Sequence, residues 1–475
     1  MLSDSMRKGL DTDSKIGVIR GIEMKKILFI NPVNKINVMK KSKALALPPN
    51  SFLVLTSLTP DDVEVQILDE AYEDIDFDAK ADLVGITCLT YTANRAYEVS
   101  SEFRKRGIKT VLGGVHPSMM PEEASRYADT VVIGEADDIW PEIVRDFQND
   151  RLRPRYQAEK RPDISKLPPA NRSLLKGDYF IDTIQTARGC PNTCKFCAVH
   201  RYNGASYRYR DIDLVIHEME QMKKTQIMII DDNIVGRGQN SYNRALELFN
   251  RMKPLKKKWA AQTCINIADE PDLLKSAGDS GASIFLIGFE SINQKSIEGF
   301  NKNVNLKADG VITNYEDSIK KIHDCGIAII GSYMFGMDTD LPDTLERTVE
   351  FVAKNEIDAV QFCIATPYPG TVFYEEMNGD NRLFMNNYPQ DWSVYNGFVM
   401  TFKPVVTGID DLYYQLFDAY KAVSSFKVSL KRGLKTYKRS RNSFATGVSF
   451  FWNYGIYSTL KSVPQFRQYI NGKPQ

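Results

Sequence analysis

An α/β protein is the class this sequence predicts: a doubly wound parallel sheet, then a partial parallel barrel of six β/α units, then a mainly helical C-terminal extension. Three observations predict it. Short apolar runs alternate with helical stretches from residue 24 to residue 150, and strands alternating with helices build parallel sheets. The alternation resumes at residue 179 and gives six more strand-like runs before residue 375. A chain of 475 residues is too long for one ordinary domain, and 43% apolar content supplies a sizeable core.

The elements follow in order. Residues 1–23 are polar, with Asp4, Asp11 and Asp13 and no long apolar stretch, and read as a flexible segment rather than a signal peptide. In 24–150, strands are expected at Lys26–Asn31, Val63–Leu68, Leu83–Thr87, Thr110–Leu112 and Thr130–Ile133, with helices at Ala93–Arg106 and Pro121–Tyr127. Such sheets bind ligands at the carboxyl ends of their strands. Gly113-Gly114-Val115-His116-Pro117 and Gly134-Glu135-Ala136-Asp137 each follow a strand, and glycine there lets backbone approach a bulky ligand; ordinary tight turns are the plain alternative. Cys88 reads as a small buried core residue. Residues 151–178, charged at first and then broken by Pro162, Pro168 and Pro169, read as a linker.

Barrel strands are expected at Ile181–Thr186, Gln226–Ile230, Trp259–Cys264, Ser283–Gly288, Ala328–Phe335 and Ala359–Ala365. Barrel sites sit at the carboxyl ends of strands. After the first strand comes Arg188-Gly189-Cys190-Pro191-Asn192-Thr193-Cys194-Lys195-Phe196-Cys197. Three thiolates in one short loop suit an iron–sulfur cluster with one iron left open, whereas a structural zinc wants four ligands, for which His200 is the nearest extra donor. Later strand ends carry Asp231-Asp232-Asn233, read as helix capping combined with cleft polarity, then Gly288-Phe289-Glu290-Ser291 and the rigid turn Thr366-Pro367-Tyr368-Pro369-Gly370-Thr371. Tyr333, on the fifth strand, is either a site residue or a plain core aromatic.

In this order the segments resemble the radical S-adenosylmethionine (SAM) superfamily. In that family the three cysteines hold a [4Fe–4S] cluster, its open iron takes the SAM amine and carboxylate, and electron transfer cleaves SAM to a 5′-deoxyadenosyl radical. The resemblance implies a partial TIM-type barrel in which Cys190, Cys194 and Cys197 are the catalytic and metal-ligating residues. It further implies SAM contacts from Phe196 (beside the adenine), Asp232, Glu290, Ser291, Thr366, Pro367 and Gly370. Leu112-Gly113-Gly114-Val115-His116-Pro117 with Ile133-Gly134-Glu135 resembles the Rossmann-like cobalamin-binding domain of one large subclass. That likeness implies cobalamin contacts from Thr90, Tyr91, Gly113, Gly114, His116, Gly134 and Glu135. The Asp-x-His-x-x-Gly motif is absent, so no histidine from this domain is expected on cobalt.

The implied activity is cobalamin-dependent methyl transfer to an unactivated carbon of a small-molecule or lipid-like substrate, with an electron donor such as flavodoxin or ferredoxin. The alternatives are ring formation, rearrangement or carbon–carbon coupling of a tetrapyrrole or isoprenoid without methyl transfer, and a cobalamin- or cluster-binding sensor. A formal net charge of +1 argues against nucleic acid as an obligatory partner. Four of the seven cysteines are scattered, which suits a reducing cytoplasm rather than a secreted disulfide framework. No apolar run approaches the length of a membrane span.

Residues 376–475 form the extension. Asp410–Lys431 reads as helix. Lys427, Lys431, Arg432, Lys435, Lys438, Arg439 and Arg441 form a basic run, and Phe444, Phe450, Phe451, Trp452, Tyr454 and Tyr457 follow it. Two readings stay open: peripheral contact with a membrane surface, and a solvated helical face followed by a helix packed on the barrel.

Overall fold

The computed structural model describes residues 24–34, 46–461 and 463–470; the segment 1–23, read above as flexible, lies outside them. The first sheet is built from β1 (Lys26–Asn31), β2 (Glu64–Asp69), β3 (Leu83–Thr87), β4 (Lys109–Gly113), β5 (Thr130–Ile133) and β6 (Arg155–Gln157), in the order β2-β1-β3-β4-β5-β6 and parallel throughout. Ile27, Leu28, Phe29 and Ile30 are all buried, because helices cover both faces of the sheet and an interior strand must be apolar on both. The order reverses between β1 and β3, and that reversal opens a crevice at the carboxyl ends of the strands.

Two elements correct the sequence reading of this part. β6 lies inside the stretch 151–178 expected as a linker, where Arg155 pairs with Val131 at the sheet edge. Three residues flanked by charge carry too little apolar signal to be recognised as a strand. The helix Trp140–Gln148 was also not anticipated; its buried Trp140 donates to Thr59 Oγ1 at 2.9 Å and seats the helix on the sheet.

A short β7 (Asp182–Ile184) opens the second sheet. After the small antiparallel pair β8 (Ala187–Arg188) and β9 (Arg208–Tyr209) come β10 (Gln226–Ile229), β11 (Lys258–Thr263), β12 (Ala282–Glu290), β13 (Ala328–Phe335) and β14 (Ala359–Ile364). β7, β10, β11, β12, β13 and β14 lie side by side in chain order, all parallel, as an open six-stranded partial barrel. Tyr333 on β13 is fully buried and stacks on Phe289 at 5.4 Å, as a core aromatic does.

The C-terminal extension does two jobs. Residues near 390 cross back to the first sheet: Trp392 and Tyr395 are fully buried among residues of β1, β3 and the helix Ala93–Lys105. Trp392 stacks on Tyr388 at 3.7 Å and donates to both oxygens of Glu123, at 3.0 and 3.1 Å. The expected helix Asp410–Lys431 is two helices, Ile409–Ser424 and Phe426–Ser440, because Ser425 takes an extended conformation between them. With Ser443–Leu460 they pack on the barrel. Phe444 and Ala445 fill the space between the starts of the strands, against Ile181, Ala260, Ile284, Ala328 and Ala359. Buried Asp358, at the foot of β14, gathers His323 at 3.0 Å, Thr436 at 2.6 Å and Arg439. Part of the basic run is therefore structural.

Candidate functional site

The site begins with the β8–β9 hairpin, whose loop carries all three clustered cysteines. Gly189 has φ +91°, and a Cβ there would stand 2.1 Å from the Ser206 carbonyl, so only glycine lets the loop close. Cys190 N donates to the Gly204 carbonyl at 3.1 Å. The far side of the loop is held between two neighbours, with Lys195 N donating to Phe300 O and Phe373 N donating to Lys195 O, each at 3.0 Å.

Asp231 and Asp232 serve this loop. Asp231 accepts from Thr186 N at 2.6 Å, Thr186 Oγ1 at 2.5 Å and Ala187 N at 3.0 Å. Burial pushes its carboxyl up to about 6 against the pull of those donors. Asp232 accepts from Gly189 N at 2.9 Å and Asn203 Nδ2 at 3.1 Å. The capping expected of this pair is corrected: the next helix, Gln239–Met252, starts at Gly238, and the carboxylates pin the cysteine hairpin instead.

The seven cysteines are free. Burial pushes the Cys194 thiol up to about 11 and the Cys197 thiol up to about 12, so an unliganded thiolate is disfavoured there and a bound cation must displace a proton. Among the described residues no three His, Cys, Asp or Glu side chains converge on a point where one metal ion would sit. A lone zinc draws each sulfur to about 2.3 Å, whereas an iron–sulfur cube holds its thiolates apart by its own edges. Three soft donors on one short loop suit such a cube, which needs three thiolates and leaves one iron open. A further cysteine, Cys264, borders the loop: Asn192 Nδ2 and Asn233 Nδ2 lie 3.9 and 3.4 Å from its sulfur, and Asn233 also donates to Tyr207 OH at 3.0 Å.

Opposite the loop, β12 ends in a bulge at Glu290, which holds φ +60°. A non-glycine residue in that region stores strain, and such residues cluster at working sites. Glu290 is buried and paired with Lys302 at 2.8 Å, a partner that sequence reasoning missed because no spacing rule links the two. Desolvation pulls Lys302 down, but the Glu290 carboxylate outweighs it and holds the ammonium above the ordinary lysine range. Lys302 Nζ lies 5.8 Å from the ring centre of Phe196, which meets Phe300 edge-on at 5.4 Å. Cys194, Phe196, Glu290 and Lys302 thus face one another.

Other expected SAM contacts have local partners. Ser291 Oγ accepts from Asn293 N at 3.0 Å, and Thr366 Oγ1 donates to the Ile364 carbonyl at 3.0 Å. The turn carrying Pro367 is closed by Thr371, whose Oγ1 donates to Tyr368 O at 2.6 Å and accepts from Tyr374 N at 3.1 Å. Gly370 faces the first sheet, since a Cβ there would stand 2.3 Å from Met119 Sδ.

The crevice of the first sheet holds a cavity of about 270 Å³ lined by Thr87, Gly113, Gly114, Gly134, Glu135 and Asp137, with Arg188, Tyr202 and Asn203 of the cysteine hairpin on its other side. Gly114 and Gly134 have φ +111° and +80°, and nothing stands within 4 Å of a Cβ added at Gly134. That rim suits a bulky ligand whose narrower part enters the cavity. Thr90 and His116 are not on its wall. His116 is fully buried, 3.3 Å from Thr90 Oγ1 and 3.2 Å from Glu123 Oε1, with Trp392 edge-on at 5.2 Å. Burial pushes the Glu123 carboxyl up, and hydrogen bonds from His116, Trp392 and Tyr97 more than reverse this. The expectation of a ligand contact from His116 is corrected: it is a core histidine in a satisfied polar network. Tyr91 lies at the same strand end, half-buried, also off that wall. Glu135 is on the wall, but its carboxylate is held by Arg188 and Arg208.

Residues 39–144 match the B12 binding domain family, and residues 184–352 match the Radical SAM superfamily. The chain is 34% identical over 397 residues to bacteriochlorophyllide d C-8(2)-methyltransferase of Chlorobaculum tepidum, covering 78% of this chain and 83% of that one. It is 31% identical over 424 residues to the C-12(1)-methyltransferase of the same organism, covering 86% and 89%. Among solved structures, the radical SAM methyltransferase TsrM from Kitasatospora setae, with tryptophan and a SAM analogue bound, aligns at TM-score 0.66 and 15% identity over 94% of this chain and 99% of that one. The cobalamin-dependent radical enzyme OxsB, with aqua-cobalamin and SAM bound, aligns at 0.67 and 13% over 90% and 72%. These two show a shared fold.

Proposed function

The chain belongs to the radical SAM superfamily, in the branch with an N-terminal B12-binding domain, and we propose that it methylates an unactivated carbon on the periphery of a chlorophyllide-like tetrapyrrole. The observation that carries the reading is spatial: the cysteine hairpin and the glycine turns of the first sheet wall one and the same cavity. Methyl transfer to carbon needs two reactive centres at one substrate atom, and a shared crevice meets that need. The two relatives of highest identity described above support the tetrapyrrole.

In this reading Cys190, Cys194 and Cys197 hold the [4Fe–4S] cluster, which supplies the electron that cleaves SAM. Gly113, Gly114, Gly134 and Thr87 border cobalamin, which supplies the methyl-carrying metal. Phe196 packs beside the adenine. Glu290, kept in place by Lys302, offers its carboxylate edge to the SAM amine. Asp232 acts on SAM through the loop it pins, and Ser291, Thr366 and Pro367 shape the strand ends. A reducing donor such as flavodoxin or ferredoxin in the cytoplasm delivers electrons. Water is kept away by the apposed domains, with Gly370 against Met119 at their contact.

The test is anaerobic reconstitution with iron, sulfide, hydroxocobalamin, SAM and bacteriochlorophyllide d. S-adenosylhomocysteine and 5′-deoxyadenosine are expected in step, with a product heavier by one methylene. 5′-Deoxyadenosine alone, with a product of unchanged carbon count, overturns methyl transfer in favour of ring formation or rearrangement.

We further propose that the C-terminal helices make contact with an anionic membrane surface. Phe426, Leu430, Leu434 and Tyr437 form an exposed stripe along the helix Phe426–Ser440, beside exposed Phe451. Lys427, Lys431 and Lys438 flank it, and no aspartate or glutamate follows Asp418 in the chain. No helix among the described residues is long and apolar enough to cross a membrane, so the contact is peripheral. Sedimentation with phosphatidylglycerol vesicles but not phosphatidylcholine vesicles is expected, and Leu430→Glu with Leu434→Glu is expected to abolish it. Equal sedimentation of both proteins sinks the reading.

A further inference from the structure

Arg188 and Arg208 stand directly opposite each other on the β8–β9 ladder that closes the base of the cysteine loop. Like charges in that relation destabilise an antiparallel pair. Their relief comes from the other domain. Glu135 bridges them, with Arg188 Nη1 at 2.6 Å from Oε2 and Arg208 on Oε1. Arg188 also forks onto Asp137, at 2.6 and 3.0 Å. Side-chain exposure is 10% for Arg188, 4% for Glu135 and 7% for Asp137, so these charges have little water to fall back on. Two cations on the hairpin thus balance two anions on the Gly134–Asp137 turn. The same turn rims the cavity, and Arg188 lines it as well. Two residues after Arg188 comes Cys190.

We propose that Arg188 is a positioning residue that couples the cavity of the first sheet to the cysteine loop: a ligand that shifts the Gly134–Asp137 turn shifts the counter-ions on which the loop's base depends. The proposal rests on the cobalamin reading above. Coupling of this kind is reciprocal, so SAM at the loop and cobalamin at the turn change each other's affinity by one common factor.

The experiment titrates hydroxocobalamin into anaerobic full-length protein loaded with a 57Fe-labelled cluster, with and without saturating SAM and without reductant, and records the cluster's Mössbauer spectrum at each end point. Wild type is expected to bind hydroxocobalamin about fivefold or more tighter with SAM present, and its cluster spectrum is expected to shift when the cavity fills. Arg188→Gln is expected to bring the two affinities together and to remove the spectral shift. Because Arg188→Gln leaves carboxylates unpaired, Arg188→Gln with Asp137→Asn, which removes one charge of each sign, is run beside it and gives the same result in a stable fold. Equal affinities in wild type, or an unchanged ratio in both variants, overturns the coupling while leaving cobalamin binding intact. Wild type that fails to bind hydroxocobalamin at all overturns both.

Discussion

Alanine at Cys190, Cys194 and Cys197 together leaves a folded protein that carries no cluster and cleaves no SAM. The effect is complete rather than graded, because a thiolate is the ligand and neither the cavity rim nor the Glu290–Lys302 pair can supply one. The measurements are iron and sulfide content, the visible absorbance of the reconstituted protein, and 5′-deoxyadenosine formation under reducing conditions, all expected to fall to background. Hydroxocobalamin affinity in the absence of SAM is expected to stay near wild type, since none of the three cysteines lines the cavity of the first sheet. Iron retained by the triple variant, or zinc in place of iron and sulfide in anaerobically purified wild type, removes the ground for every catalytic statement made above.

Lys302→Met is expected to cost about 3–5 kcal/mol of stability, the range for a buried ion pair that loses one partner. The lysine is 12% exposed and Glu290 9%, so the surviving carboxylate has little access to water. It also sits in a strained backbone conformation that its surroundings must hold. Adding Glu290→Gln to Lys302→Met is expected to restore much of the stability, because the uncompensated charge is then gone, yet to leave SAM binding weak. Thermal melting of both variants and SAM titration of the cluster-loaded proteins separate the two effects. A Lys302→Met protein that melts with wild type, or a double variant that binds SAM normally, contradicts the roles assigned to the pair.

What could be read in the chain follows the range of the interactions involved. The cysteine loop was plain because its ligands lie within eight residues, and the six barrel strands because short apolar-rich runs recur between helical stretches. The glycine turns at Gly113-Gly114 and Gly134 were found for a similar local reason, since each directly follows a strand, and Gly114 and Gly134 hold positive φ there. What stayed hidden is tertiary. Lys302 acquires its meaning from Glu290, a bulge and a turn away. Glu135 was noticed as a rim residue, but its arginine partners sit 53 and 73 positions along the chain. His116 looked available because its motif context was open, and Trp392, which walls it in, arrives from far downstream. β6 is three residues long and owes its existence to the edge it completes. The break at Ser425 lies inside a continuous helical pattern and rests on the extended backbone of one residue.

The plug formed by Phe444 and Ala445 bears on how the polypeptide matures. Translation runs from the amino end, and larger chains acquire their structure in stages as they leave the ribosome. Here the floor of the barrel and the Trp392 cover of the first sheet are encoded after both sheets, so both halves emerge with greasy surface uncovered and stay so until Trp392 and then Phe444 and Ala445 arrive. A chain that stops before the helix Ser443–Leu460 is therefore expected to leave the apolar starts of the barrel strands open to water and to aggregate.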